Sequence, residues 1–98
     1  MNPHQRGNMR IELRDYKLAH GCVVCGYREN PDGLNFDHRD ERTKSFNLAD
    51  FGLHSVTDVR AELAKVDVIC GTHHLIRSAE RNRRFNNGEL PRPNGGDR

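Results

Sequence analysis

The chain has 98 residues, 34% apolar and 31% charged, with no Trp, so it makes one domain at most, and a core this thin is expected to need a metal or a disulfide. A formal charge of +2 is too mild to name a nucleic-acid partner by itself, and no apolar run approaches the ~20 residues of a membrane span. Three cysteines, Cys22, Cys25 and Cys70, leave one thiol over in any disulfide framework, and the opening MNPHQRGNMR lacks the apolar stretch of a secretory leader, so a cytoplasmic, metal-ligating protein is expected.

Residues 1–8 carry no apolar pattern and read as an N-terminal arm. From Met9 to His20 the apolar residues Met9, Leu13, Tyr16 and Leu18 follow roughly helical spacing, and Gly21 stands where a left-handed C-terminal cap falls. After Cys22-Val-Val-Cys25-Gly26, the stretch Asn30-Pro31-Asp32-Gly33 reads as a turn. Leu34 to His38 alternates apolar and polar as a short half-buried strand does, which puts Asp37 and His38 at its end. A polar loop follows from Arg39 to Ser45, and Ser45 to Leu48 reads as a returning strand or the start of a helical turn. Ser55, three residues before Asp58, resembles a helix N-terminus, with Val56, Val59 and Leu63 on one face of a helix ending near Lys65. Val66 to Ile69 is a short β-branched strand, and a last helix is expected from Thr72 or His73 to about Arg84. Asn86 to Arg98, rich in Pro and Gly, reads as a mobile tail beyond a domain spanning 9–85.

Two pairs of ligand-type residues stand at the same two-residue gap, Cys22/Cys25 and Cys70/His73. Each gap lets both side chains of a tight turn reach one ion, so the four predict a tetrahedral structural Zn2+ site. A redox dithiol at Cys22 and Cys25 would normally open a helix after the first strand of a βαβ unit, and no such unit is visible. His74 directly follows the last of these ligands and is carried on the first turn of the final helix. With Asp37 and His38 it offers a hard carboxylate, a metal-ligating imidazole and a second imidazole, the roles that phosphodiester hydrolysis needs. Asp37 and His74 are expected to hold a catalytic divalent cation, Mg2+ or Mn2+, and His38 to take a proton from water as general base. Arg39, Arg42, Arg77, Arg81 and Arg84 are the expected phosphate contacts. Asp40 is either a further metal ligand or an exposed loop carboxylate. His4, His20 and His54 lie outside this set.

The order Cys22-x2-Cys25, Asp37-His38, Cys70-x2-His73-His74 resembles the zinc-containing HNH endonucleases, many of them phage-encoded, including relatives of recombination endonuclease VII. The resemblance covers about Arg10 to Arg81, and it implies a small α+β, zinc-stapled ββα-metal fold with an N-terminal helix and flanking helices. It further implies DNA as substrate and an Asp-His pair that supplies a metal ligand and the base. His73 departs from the Cys usual at its position. For the middle residue of the H-N-H triplet Asn47 is preferred, bracing the loop that carries His38, with Asn35 second. The rival expectations are a non-catalytic zinc-ribbon module that binds DNA or protein, and a partner-dependent subunit of a phage packaging or recombination complex. The first helix either packs on the zinc core or serves as a dimer contact.

Overall fold

Asn2 begins the first helix. Its Oδ1 accepts from the Gln5 backbone N–H at 2.7 Å, while Gln5 Oε1 accepts from the Asn2 N–H at 3.1 Å, and Pro3 sits where a missing N–H costs nothing. The helix, α1, runs Pro3–His20 and buries Met9 and Leu13, one turn apart on the same face. Residues 3–8 are therefore the first turns of α1 and not a separate arm. They are polar, so apolar spacing passes over them, and only the reciprocal cap marks them. Gly21 closes α1 with its N–H on the Lys17 carbonyl at 2.8 Å. Its φ is +68° but its ψ is 175°, so it turns the chain into an extended path instead of the expected left-handed cap. A Cβ there would stand 3.2 Å from the Gly26 carbonyl oxygen.

The computed structural model describes residues 1–87, the side chains of 84–87 excepted. The expected tail over 86–98 falls outside the described residues, apart from the last two positions of the final helix.

Strand β1 (Leu34–His38) pairs antiparallel with β2 (Val66–Cys70), in the register Leu34 to Cys70, Phe36 to Val68, Asp37 to Asp67 and His38 to Val66. Between them lie two 3-10 turns, Glu41–Thr43 and Leu48–Leu53, and helix α2 (Val56–Leu63). The segment from Ser45 thus enters a helical turn and not a returning strand. The Ser55 hydroxyl accepts from the Asp58 N–H at 3.1 Å, the cap expected for α2. Helix α3 (Gly71–Asn87) follows β2 without a loop. The result is a small α+β fold in which a two-stranded ribbon leads directly into a helix.

Period-two alternation sends Leu34, Phe36 and His38 to one face of the ribbon and Asn35 and Asp37 to the other. The first face, with Val66, meets a core of Met9, Leu13, Leu48, Val59 and Leu63 from α1, α2 and the loop between the strands. A second cluster gathers Leu34, Val68, Ile69, Cys22 and Cys70, and Tyr16 and Phe36 pack against both. Among the described residues no helix is long and apolar enough to cross a membrane.

Candidate functional site

The junction between β2 and α3 carries the chemistry. Cys70 ends the strand, and the first turn of α3 presents His73 and His74. Across from it, the Cys22–Cys25 turn is tied down by the Cys22 N–H on the Tyr27 carbonyl, the Val23 N–H on the Val68 carbonyl and the Gly26 N–H on the Cys22 carbonyl, each at 2.8 Å. The ligand atoms of Cys22, Cys25, Cys70 and His73 all lie within 4.8 Å of one another. Cys25 Sγ is 3.9 Å from Cys70 Sγ, and Cys70 Sγ is 3.2 Å from Nδ1 of His73. Sulfurs bonded at ~2.3 Å to one tetrahedral ion stand ~3.8 Å apart, so the cluster fits a single metal ion. Burial would raise the Cys22 thiol, but the backbone N–H groups of Cys25, Cys70 and Val24 outweigh it and bring that thiol down to about 6. Its sulfur is ready to ligate as thiolate.

Asp37 is 5% exposed and faces α3. Nη1 of Arg77 donates to its Oδ2 at 2.7 Å, and Arg81 donates to both oxygens at 3.1 Å. Nε2 of His74 stands 3.7 Å from Oδ1. Burial alone would raise the carboxyl; the two guanidinium groups lower it below the ordinary aspartate range. Arg77 also donates to Asp67, directly opposite on β2, at 3.2 Å. One guanidinium thereby bridges two like charges that would otherwise repel across the ribbon.

His38 points the other way. Its Nε2 is 2.7 Å from Oε2 of Glu62, and both side chains are almost wholly buried, at 6% and 2% exposure. Glu62 also accepts from the Ser45 N–H at 2.8 Å and from Nζ of Lys65 at 2.9 Å. Burial would raise this carboxyl; the Ser45, Lys65 and His38 donors bring it down to about 2. Glu62 is thus ionised and has no proton to give, which makes Nε2 of His38 the donor in this bond.

Asp37, His38 and His74 are all among the residues lining a cleft of about 680 Å³, with α1 along one side and the loop bearing Glu41, Lys44 and Asn47 along the other. No family model, curated protein or solved structure matches the chain.

Several expected residues serve elsewhere. Arg39 donates to the Val66 carbonyl at 2.8 Å, to Asp67 at 3.2 Å and to the Ala64 carbonyl, tying the end of α2 to β2. Arg42 holds Asp40 with two bonds of 3.0 Å, and Asp40 caps the turn at Glu41–Thr43. Arg77 and Arg81 are engaged by Asp37, and the Arg84 side chain falls outside those described. Asn47 lines the cleft, as does Asn35, but its side chain makes no capping bond. The bracing expected of Asn47 comes instead from Lys65, whose Nζ donates to the Thr43 carbonyl at 2.8 Å and the Ser45 hydroxyl at 3.0 Å, and from Glu62 on the Ser45 N–H. Sequence reasoning missed Glu62. Its signal was legible: it shares the face of Val59 and Leu63, where a carboxylate needs buried partners. His20 stacks on Tyr16 and His54 on Phe46. His4 stands beside Asn8 on α1.

Proposed function

We propose that this chain is a metal-dependent DNA endonuclease of the zinc-containing HNH (ββα-metal) type, hydrolysing phosphodiester bonds. The observation that carries the reading is the meeting of Asp37, His38 and His74 at one cleft, immediately beside a three-Cys-one-His cluster. That donor set suits Zn2+, which would fix the β2–α3 junction and with it the position of His74. Asp37 and His74 would hold Mg2+ or Mn2+; their 3.7 Å separation is within the span of two bonds of ~2.1 Å. Such an ion supplies Lewis-acid stabilisation of charge on the phosphate and leaving oxygens.

His38 is the general base. Glu62 holds its Nε2–H at 2.7 Å, so the imidazole keeps one orientation and one tautomer while Nδ1 takes the proton of the attacking water. Glu62 is a positioning residue, and Lys65 in turn positions Glu62. The phosphate role expected of Arg77 and Arg81 competes with their hold on Asp37. A phosphodiester is the anion that can draw them off, which would free the carboxylate.

The same pairing favours a second reading, a non-catalytic zinc module in which Asp37 only anchors α3 to β1. Nicking of supercoiled plasmid separates the two. The nuclease is expected to nick with Mg2+ or Mn2+, to stop when EDTA removes the added cation, and to slow on the order of 10²- to 10⁴-fold in His38→Ala with zinc content unchanged. Asp37→Ala and His74→Ala should regain part of their lost activity at high Mn2+, whereas His38→Ala should not. A parent that cuts neither supercoiled, linear nor branched DNA with either cation is the zinc module.

A further inference from the structure

Of the arginines expected to hold phosphates, Arg39, Arg42, Arg77 and Arg81 are all engaged by carboxylates of the chain itself. The cations that line the cleft from α1 are different ones: Arg10, Arg14 and Lys17. They recur at four- and three-residue steps, so they form one row along a single face of the helix. Among the described residues, none of the three has a carboxylate within ion-pair distance. Two are held in place over aromatic rings: Arg10 stands 5.7 Å from the centre of Phe51, and Lys17 stands 5.1 Å from that of Phe36. The carboxylates that also line the cleft, Asp32, Asp37, Glu41 and Asp50, come from β1, the turn before it and the loop after it. Positive charge is therefore concentrated on the α1 side.

We propose that the Arg10–Arg14–Lys17 face of α1 is the track for the backbone phosphates of a DNA strand that passes along the cleft lined by Asp37, His38 and His74. The proposal rests on the nuclease reading for its ligand, but not on catalysis. Arg10 and Arg14 are exposed and reach solvent above the cleft. The aromatic rings beneath Arg10 and Lys17 limit the side-chain freedom given up when a phosphate is bound.

The test is binding of a labelled DNA duplex to the zinc-loaded full chain, measured by fluorescence anisotropy across a salt series, in a His38→Ala background with no added Mg2+ or Mn2+ so that cutting is negligible during the measurement. Arg10→Ala with Arg14→Ala is expected to weaken binding about tenfold or more at low salt, and to flatten the slope of log affinity against log salt by about 2, close to 0.9 for each phosphate no longer neutralised. Arg10→Lys with Arg14→Lys should restore most of both. Arg28→Ala, which removes a charge of the same sign outside the cleft lining, should change neither. Circular dichroism and zinc content, unchanged in every variant, exclude unfolding as the cause. Parental affinity and slope in the double alanine variant would overturn the track, as would a protein with no salt-dependent affinity for DNA. Cleavage by the parent, with His38 intact, is scored separately. A parent that never cuts but whose double variant binds more weakly keeps the track and loses the nuclease. A parent that cuts, with a double variant that binds like it, keeps the nuclease and loses the track.

Discussion

Glu62 is 2% exposed, on a helix face otherwise given to Val59 and Leu63. An ionised carboxylate there is tolerable only because Ser45, Lys65 and His38 all donate to it. Its pKa of about 2 lies below the ordinary 4.5, which sets the sign of the pH dependence. The contribution of Glu62 to stability is fully present above about pH 4.5 and is lost as pH falls from there toward 2. Urea melts of the parent and Glu62→Gln should therefore differ by a constant amount near neutrality, and the gap should narrow in that acidic window. The same substitution tests orientation of the base. The amide is isosteric with the carboxylate but uncharged, so it no longer selects the Nε2–H tautomer of His38, and the nicking rate should fall about tenfold or more. Nitrogen-15 spectra of the imidazole should show the Nε2–H form in the parent and a mixture in the variant. An unchanged tautomer with unchanged nicking would reduce Glu62 to a structural role.

At the scale of elements, α2 and the ribbon set the geometry. Helix α2 has eight residues, too few to be stable alone, and its cap matters because the helix carries Glu62. Ser55→Ala should cost about 1 kcal/mol, which in a domain of this size lowers the melting temperature by roughly 4–8 °C. In the ribbon, Asp37 faces Asp67 with Arg77 between them. Removing the guanidinium takes the bridge from between two facing carboxylates, but Arg81 still holds Asp37 and Arg39 still holds Asp67, so Arg77→Ala should cost about 1 kcal/mol, well below the loss for an isolated buried pair. Asp67→Asn in the same chain should recover a good part of that loss. A chemical-denaturation cycle over the four proteins measures the coupling, and strict additivity would show that Arg77 is not the bridge.

At the scale of the whole molecule, the cluster of Cys22, Cys25, Cys70 and His73 could hold one metal ion. The apolar core divides into two small groups, and two cysteine side chains, Cys22 and Cys70, belong to the second. A Zn2+ bound there would staple the ribbon to the Cys22–Cys25 turn and supplement a core this small. Purified protein should carry about one zinc per chain, and stripping it should abolish cooperative thermal unfolding as seen by circular dichroism. Cys25→Ser should act in the same direction by weakening the metal site. A chain that stays folded and cooperative without zinc would remove the staple and the reason for the placement of His74.

The strand over Leu34–His38, the β-branched second strand, the Ser55 cap and the pairing of Cys22/Cys25 with Cys70/His73 were legible in the sequence. Each is a local pattern of spacing or turn chemistry within a few residues. The start of α1 at Pro3 was signalled only by a polar cap, which carries no periodicity. What tertiary structure alone decided is the destination of each charge. Alternation along β1 separates Asp37 from His38 onto opposite faces, and packing then gives Asp37 to α3 and His38 to Glu62 of α2. An arginine in a sequence shows its charge but not its partner. Arg39 and Arg77 find carboxylates across 28 and 40 residues, whereas Arg10 and Arg14 find no carboxylate among the described residues and line the cleft, because pairing distance is a property of the folded chain and not of the order of its residues.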